Sequence, residues 1–223
     1  MQPQPSPYIV PLCREEITIL YQDEHLLLIN KPDLLLSLPG KIPENHDSVI
    51  TRLLRSFPTA SLVHRLDLDT SGIMIIPLSK SVNANLSRQF QERTIRKTYT
   101  ALLFGHLENN EGVIDLPIAK DWQNPPLQKI CHERGRQSQT EYSVLERGEN
   151  PCTTRVLFQA RTGRSHQLRI HSMAIGHPIL GCDLYAHDEA FQMANRLMLH
   201  ATTIRFTHPV SGVEMEGISP PPF

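Results

Sequence analysis

The sequence predicts an α+β fold with a largely antiparallel sheet. Runs typical of strands recur along the 223 residues, several of them are joined by links of hairpin length, and only a few stretches carry helical signals. Apolar residues make up 39% of the chain and charged residues 20%, which is an ordinary globular composition. A chain of this length buries enough surface to fold without metal or disulfide.

The N-terminal region begins with a tail and continues into a hairpin. Residues 1–16 carry four prolines, so we expect an extended, poorly packed segment ahead of a single domain over residues 17–223. Residues 17–21 and 26–30 are β-rich runs separated by four polar residues and predict a hairpin. Pro32 should end the second strand, because proline cannot donate to a ladder.

The middle of the chain predicts alternating helices and strands. Asp47 or Ser48 could cap a helix that runs to about Arg55, and Ser79 or Ser81 could cap another that runs to about Arg93. Between them, the apolar run 73–76 predicts a buried strand. Residues 97–104 alternate in polarity and predict a strand with Tyr99 on one face.

The C-terminal half predicts three more strands, a loop and a helix. We expect a loop over residues 121–126 and strands over 139–146, 153–160 and 197–206. Ser165 is a candidate cap for a helix that runs to about Ile175, where Gly176 is typical of a helix exit.

Composition limits the possible environments and partners. The four cysteines are far apart and show no zinc spacing. No leader-like segment or membrane-length apolar run occurs, so we expect a cytoplasmic protein that does not contact a membrane. Net charge is −1, but residues 80–97 carry five basic side chains against one acid, and residues 155–171 carry four arginines and no acid. Such stretches suit a phosphate-bearing partner or are simply solvated faces, and charge alone does not decide between these.

The most informative segment is the polar stretch His64 to Gly72, directly before the apolar run 73–76. A polar segment at the mouth of a buried strand could hold a reacting carboxylate on a rigid scaffold. Asp67 is the candidate, and the alternative is an ordinary turn or capping aspartate. The residues by themselves leave both interpretations open.

Four segments together resemble the pseudouridine synthases of the RluA family, especially its short, A-type ribosomal large-subunit members. They are Asn30-Lys31-Pro32, the His64–Gly72 segment, Lys97-Thr98-Tyr99, and the run Arg161 to His171 that begins Arg-Thr-Gly-Arg-Ser-His-Gln. The resemblance covers the chain from Ile17 onward and leaves no room for the S4 RNA-binding module of longer relatives. It implies the family fold, with helices flanking a mixed sheet and a central active-site cleft.

The resemblance implies an isomerase that converts uridine to pseudouridine in RNA without a cofactor or metal. It further implies two substrates, uridine 746 of 23S ribosomal RNA and uridine 32 in the anticodon loop of tRNAs. An RNA stem-loop would be recognised by shape and phosphates, with the target base flipped out. We expect a monomer.

The resemblance also implies roles for individual residues. Asp67 would be the nucleophile, Arg164 the cation that keeps it ionised, and Tyr99 the aromatic face for the flipped uracil. The remaining candidates for binding RNA or substrate are His64, Arg65, Arg96, Lys97, Arg161, His166, Gln167, Arg169 and Leu199.

Each of these roles has a plainer alternative. Tyr99 and Leu199 could be ordinary core residues, Arg164 a surface arginine or phosphate contact, and Arg65 a competing partner for Asp67. His166 and His171 are too poorly spaced for a metal site. Two rival functions are an idle RNA-binding module of this fold and a carboxylate hydrolase or metalloenzyme; the latter needs a second acid, for which Asp69 is the nearby candidate.

Overall fold

The computed structural model describes residues 8–223, so the first seven residues of the predicted tail lie outside it. Residues 8–16 form no helix or strand, as expected. They are nevertheless held in place, because the Arg52 guanidinium donates to the carbonyl oxygens of Cys13 and Glu15 (both 2.6 Å). Of these residues only Cys13 is buried, so the segment is anchored through its backbone while most of its side chains stay exposed.

The described residues form strands and helices in a mixed order. The strands are β1 (Thr18–Gln22), β2 (Leu26–Lys31), β3 (Ser71–Pro77), β4 (Arg96–Phe104), β5 (Glu111–Asp115), β6 (Ile118–Lys120), β7 (Gln128–Ile130), β8 (Gln139–Glu149), β9 (Cys152–Ala160), β10 (Leu199–Thr207) and β11 (Glu214–Ile218). The helices are α1 (Val49–Leu53), α2 (Lys80–Gln91), α3 (Gln167–Ala174) and α4 (Asp188–Gln192).

Nine strands form one mixed sheet in the order β1-β2-β3-β10-β4-β9-β8-β5, with β11 also paired to β10. Only the β3–β10 pair is parallel among the described strands, and every other pair is antiparallel. The predicted α+β class with a largely antiparallel sheet is confirmed. Strands β6 and β7 form a separate hairpin.

The two halves of the sheet meet at a short junction beside the polar segment. Only His200 and Ala201 of β10 pair with Ser71 and Gly72 of β3. Gly72 has φ +118°, and a Cβ there would lie 2.3 Å from the Ala201 carbonyl oxygen. Glycine is required at this position both for its backbone conformation and for the close approach of β10.

Several element predictions are confirmed nearly to the residue. Ser48 caps α1 in a capping box, Ser79 caps α2, and all of β3 is buried. The predicted hairpin of β1 and β2 pairs antiparallel.

The predicted start of α3 is wrong by one residue. His166, in the left-handed region (φ 55°), precedes the helix and makes no side-chain cap, whereas Ser165 is exposed. The loop is fastened by Gln167 instead, whose side-chain oxygen accepts the Arg164 backbone N–H at 3.1 Å. Five short elements were not predicted, namely β5, β6, β7, α4 and β11.

Candidate active site

A cleft of about 730 Å³ opens beside the β3–β10 junction. All twelve residues that the sequence singled out for the site line this cleft: Asp67, Tyr99, Arg164, His64, Arg65, Arg96, Lys97, Arg161, His166, Gln167, Arg169 and Leu199. They come from segments up to 135 positions apart (64 to 199), so the fold brings together what the sequence could only name separately.

Asp67 is half-buried and lies near the middle of the polar segment. Among residues 8–223 its carboxylate makes no hydrogen bond or ion pair, and only its backbone carbonyl is engaged, by the Thr70 N–H at 3.2 Å. A turn or capping aspartate would accept a backbone N–H through its side chain. The geometry therefore disfavours that alternative and leaves the carboxylate open to the cleft.

Asp69, two residues later, is bound to the protein. Its carboxylate pairs with Arg169 (3.5 Å), which also pairs with Asp183 and donates to Cys182 Sγ. Burial raises the pKa of Asp69, against the charge of Arg169, which lowers it. Within the described part of the chain, Asp67 is the one acidic side chain that lines the cleft, so the second acid needed by a hydrolase is not there.

The backbone of the polar segment is held from behind by buried groups. The Lys31 ammonium donates to the carbonyl oxygens of Pro32 (2.8 Å), Leu35 (2.7 Å) and Leu68 (3.0 Å). Ser37 Oγ donates to Leu66 O and accepts the Leu66 N–H. Leu66 and Leu68 flank Asp67, so these bonds fix the backbone on both sides of the carboxylate.

Tyr99 forms the apolar side of the cleft with Leu199. Tyr99 is only 8% exposed and lies on β4 opposite Ala201 of β10 and Phe158 of β9. Its hydroxyl has no hydrogen-bond partner among the described residues. The Lys97 ammonium lies 6.0 Å from its ring centroid and 5.5 Å from that of Phe90, which places a cation beside the aromatic surface.

His64 is a neutral, half-buried anchor of the polar segment. Its Nε2 accepts the Ile75 N–H at 3.0 Å, and its ring packs on Phe90 with centroids 4.9 Å apart. Burial, with a smaller effect of the Lys97 charge, lowers its pKa to about 3. An orienting role fits this geometry better than a charged contact to RNA.

Arg164 does not meet Asp67 in this structure. No ion pair joins them within the described residues, and the Arg164 Nε donates to the Gln137 carbonyl oxygen at 3.4 Å. Arg164 sits on an open loop next to Gly163, where an added side-chain carbon would meet nothing within 4 Å. The expected ion pair is therefore absent from this structure, where the guanidinium is directed to the Gln137 carbonyl oxygen instead.

Gln167 and Arg169 use their side chains inside the protein. The Gln167 amide accepts from Thr162 Oγ1 and donates to Gln139 O and Thr140 Oγ1, and Arg169 is 2% exposed. These contacts hold the cleft wall and leave neither group free to bind RNA. The RNA-contact expectation for these two residues is corrected accordingly.

His166 connects the cleft to Tyr185, a residue that the sequence did not single out. The His166 Nδ1 lies 2.8 Å from the Tyr185 hydroxyl. Burial raises the pKa of Tyr185 to about 12, so the phenol keeps its proton and can donate it to Nδ1. Burial lowers the pKa of His166, opposed by the nearby charge of Asp67. The Nε2 of a neutral ring then carries its hydrogen.

The cleft is strongly basic. Seven basic side chains line it, and five of them make no ion pair within residues 8–223: Arg65, Arg93, Arg96, Lys97 and Arg164. The exception at the rim, Arg161, binds Glu141 through two nitrogens at 2.8 Å each. Five cations without an acidic partner, together with one carboxylate, suit a polyanionic ligand. The part of the ligand that meets the carboxylate would be uncharged.

No group of three metal-binding side chains occurs within residues 8–223. His171, which the sequence analysis paired with His166 when it rejected a metal site, is fully buried. Its ring nitrogens form hydrogen bonds with Thr140 Oγ1 and Leu116 O. None of the described helices combines the length and apolar character needed to cross a membrane.

Comparison with known proteins identifies the class. Residues 25–174 match the family model described as RNA pseudouridylate synthase. Because this match covers more than half of the chain, the protein belongs to that family and is an RNA-modifying isomerase. The family assignment expected from the four segments is confirmed.

Individual relatives are similar over nearly their whole length. The chain is 53% identical over 197 residues to the dual-specificity RNA pseudouridine synthase RluA of Yersinia pestis, covering 88% of this chain and 95% of that one. It is 49% identical over 207 residues to the protein of the same name in Escherichia coli K12, covering 93% and 94%. The human RNA pseudouridylate synthase domain containing 1 has the same fold, with a TM-score of 0.80, 30% identity and coverage of 96% and 86%.

Proposed function

We propose that this enzyme isomerises uridine in both ribosomal RNA and tRNA, with Asp67 as the nucleophile. The observation that carries the proposal is the open Asp67 carboxylate, held on a fixed backbone in a cleft with five unpaired cations. The relatives named as dual-specificity enzymes support the two RNA classes. Uridine 746 of 23S ribosomal RNA and uridine 32 of tRNA are the proposed targets.

The cleft can perform the steps that the reaction requires. A uridine flipped out of the stem-loop stacks on Tyr99, a contact worth about 1–3 kcal/mol. The Asp67 carboxylate attacks either C1′ of the ribose or the uracil ring, and the N1–C1′ bond breaks. After the base turns, C5 bonds to C1′, and the bond that the Asp67 oxygen formed to C1′ or to the uracil ring breaks, which restores the free carboxylate. C5 then loses its proton to water, and N1 gains one. No net oxidation or reduction occurs.

Arg164 is the proposed movable cation of the site. Its guanidinium is held by one long hydrogen bond on an exposed loop, so RNA can draw it toward Asp67 or a phosphate at little cost. A planar guanidinium binds either group through two hydrogen bonds. Arg65, Arg96 and Lys97 are proposed phosphate contacts at the rim, and His166 offers a neutral N–H to the substrate.

Asp67→Asn tests the nucleophile. The substitution keeps shape and removes the attacking oxygen anion, so tritium release from RNA labelled at uridine C5 should fall by more than about 10³-fold. Affinity for the same RNA should stay within a few fold, because binding depends on the cations and Tyr99.

The matched control is Asp69→Asn, which removes the neighbouring carboxylate that binds Arg169. Asp69→Asn protein should be less stable than the wild type and should lose only part of its activity. Asp67→Asn protein that retains turnover would exclude the proposed nucleophile, and wild-type protein that labels neither RNA would exclude the proposed function.

We also propose that the enzyme acts as a monomer in the cytoplasm. In support, a single copy of the chain by itself brings Asp67, Tyr99 and Arg164 into one cleft. Sedimentation at micromolar concentration tests the monomer, with and without a stem-loop RNA.

A further inference from the structure

The β6–β7 hairpin carries an exposed tryptophan that the catalytic cleft does not use. Trp122, the only tryptophan of the chain, is 79% exposed, more than any other large apolar side chain in the described residues. The Lys120 ammonium lies 4.1 Å from its ring centroid. One exposed apolar side chain is by itself common, so the surroundings of Trp122 decide whether it has a function.

The loop that presents Trp122 is ordered. The Asp121 N–H donates to Leu127 O at 3.0 Å, and the Leu127 N–H to Asn124 O at 2.9 Å. The Asp121 carboxylate accepts from the Gln123 N–H and the Asn124 amide. A side chain held out by a fixed loop loses little conformational entropy on binding, which favours a ligand contact.

The hairpin is joined to the cleft wall by direct contacts. The Gln128 N–H donates to the Tyr185 hydroxyl at 2.8 Å, and that hydroxyl lies 2.8 Å from His166 of the cleft. Gln128 pairs with Lys120 across the hairpin. Trp122 is therefore only a few side chains away from the site where the RNA substrate is proposed to bind.

The hairpin and the chain just after it are basic. Residues 118–136 carry Lys120, Lys129, Arg134 and Arg136 against Asp121 and Glu133, and all four basic side chains are exposed. Lys129 pairs with Asp121 at 3.4 Å, so Lys120 and both arginines remain available. An aromatic ring among cations is the arrangement that binds unpaired nucleotides, by stacking and phosphate contact together.

We propose that Trp122 and Lys120 form a second RNA contact outside the cleft, which rests on the proposed function. An unpaired base flanking the target stacks on the open face of the indole, and Lys120 binds an adjacent phosphate. The contact extends the footprint of a protein whose cleft holds only the flipped nucleotide and its neighbours. It also contributes affinity that does not depend on the target uridine.

The single tryptophan allows a direct test in Asp67→Asn protein, which binds without turnover. An anticodon stem-loop RNA should quench Trp122 fluorescence, with a midpoint equal to the Kd measured by filter binding. A blunt duplex of equal length, which has no unpaired base, should quench far less.

Variants separate stacking from other roles. Trp122→Ala should weaken stem-loop binding by about 5- to 100-fold, Trp122→Phe by much less, and Lys120→Gln should lower the slope of log Kd against log salt by about 1. The matched controls, Phe191→Ala and Lys41→Gln, change an exposed aromatic residue and an exposed lysine that do not line the cleft, and should leave the Kd within twofold. Circular dichroism checks folding.

Three outcomes would overturn the second contact. These are a Trp122→Ala Kd within twofold of the parent, an absence of quenching by the stem-loop, and a concentration-dependent dimer that Trp122→Ala abolishes, which would assign Trp122 to a second copy. In each case wild-type protein that still forms pseudouridine in the same RNA leaves the proposed function intact. Wild-type protein that forms none contradicts the proposed function first.

Discussion

Two loops line the cleft, and they differ in how much freedom their functional side chains keep. The backbone around Asp67 is fixed from behind, because Lys31 donates to the carbonyl oxygen of Leu68 and Ser37 to that of Leu66. The backbone of residues 161–165 is also fastened, because Gln167 accepts the Arg164 N–H, but the Arg164 guanidinium makes only one hydrogen bond of 3.4 Å within the described residues. The backbone around Asp67, the proposed nucleophile, is thus fixed before substrate arrives, whereas the Arg164 guanidinium can still adjust.

This difference has a physical reason. A nucleophile must sit within tenths of an ångström of its target, so its backbone is best fixed during folding. A cation that meets an RNA backbone must find phosphates whose positions vary between stem-loops. Under the proposed function, a movable Arg164 side chain would let one cleft accept two RNA classes, whereas mobility of Asp67 would reduce the rate with both.

The largest effect is expected from loosening the fixed loop. Lys31 is fully buried, and Lys31→Met leaves three carbonyl oxygens without their donor. Unpaired buried polar groups cost about 1–3 kcal/mol each, partly offset by removal of a buried charge. We expect the free energy of unfolding to fall by about 3 kcal/mol or more in urea titrations.

The control is Lys41→Met, which changes an exposed lysine and should leave stability within about 0.5 kcal/mol. Lys31→Met protein that still folds should also show a lower kcat, because the carbonyl oxygen of Leu68, the residue after Asp67, has lost its hydrogen-bond donor. Unchanged stability and kcat would mean that the loop does not depend on Lys31.

The adjustable side chain of Arg164 predicts a smaller effect, which changes the rate of the reaction and leaves the stability unchanged. Arg164→Lys keeps the charge and loses the planar fork, so kcat/KM should fall by about 10- to 100-fold, with no change in the free energy of unfolding. Arg155→Lys, remote from the cleft and paired with Glu146, should stay near the wild-type rate. Near-normal turnover by Arg164→Lys would show that the guanidinium has no part in the reaction.

The same contrast explains what the sequence could predict. The strands with long apolar or alternating runs, such as β3 and β4, were found because their burial is encoded locally. The strands β6 and β7 are three residues each, and β11 carries two glutamates. None of them has a hydrophobic periodicity that distinguishes it from a loop. Their strand pairing depends on tertiary contacts that no local pattern records.

Site residues were predicted more completely than their contacts. The motifs placed Asp67, Tyr99 and Arg164 in one site, and all three line the cleft. Sequence alone could not show that Lys31 reaches Leu68, 37 positions away, or that Gln167 and Arg169 turn inward. Tyr185 carried no motif signal, and only its contact with His166 points to it.

Buried histidines give the fixed side of the molecule a pH dependence. His200, at the β3–β10 junction, forms hydrogen bonds with Ser71 Oγ (2.7 Å) and with the Ser219 carbonyl oxygen (3.1 Å). Burial lowers the pKa of His200 to about 4. The ordinary value of about 6.5 applies in the unfolded chain. Between these values the unfolded state binds more protons, so stability is full above pH 6.5 and is lost as pH falls toward 4. Between pH 7 and pH 5, the titration of His200 alone should lower the free energy of unfolding by about 2 kcal/mol.

His200→Gln tests this contribution, since glutamine can hydrogen-bond but does not titrate. The variant should be less stable at pH 7, yet its further loss between pH 7 and pH 5 should be about 2 kcal/mol smaller than that of the wild type. His132→Gln, at an exposed position, serves as the control and should keep the wild-type slope. Equal slopes for the two variants in urea titrations would place the acid sensitivity elsewhere, with His64 as the next candidate, because burial lowers its pKa to about 3.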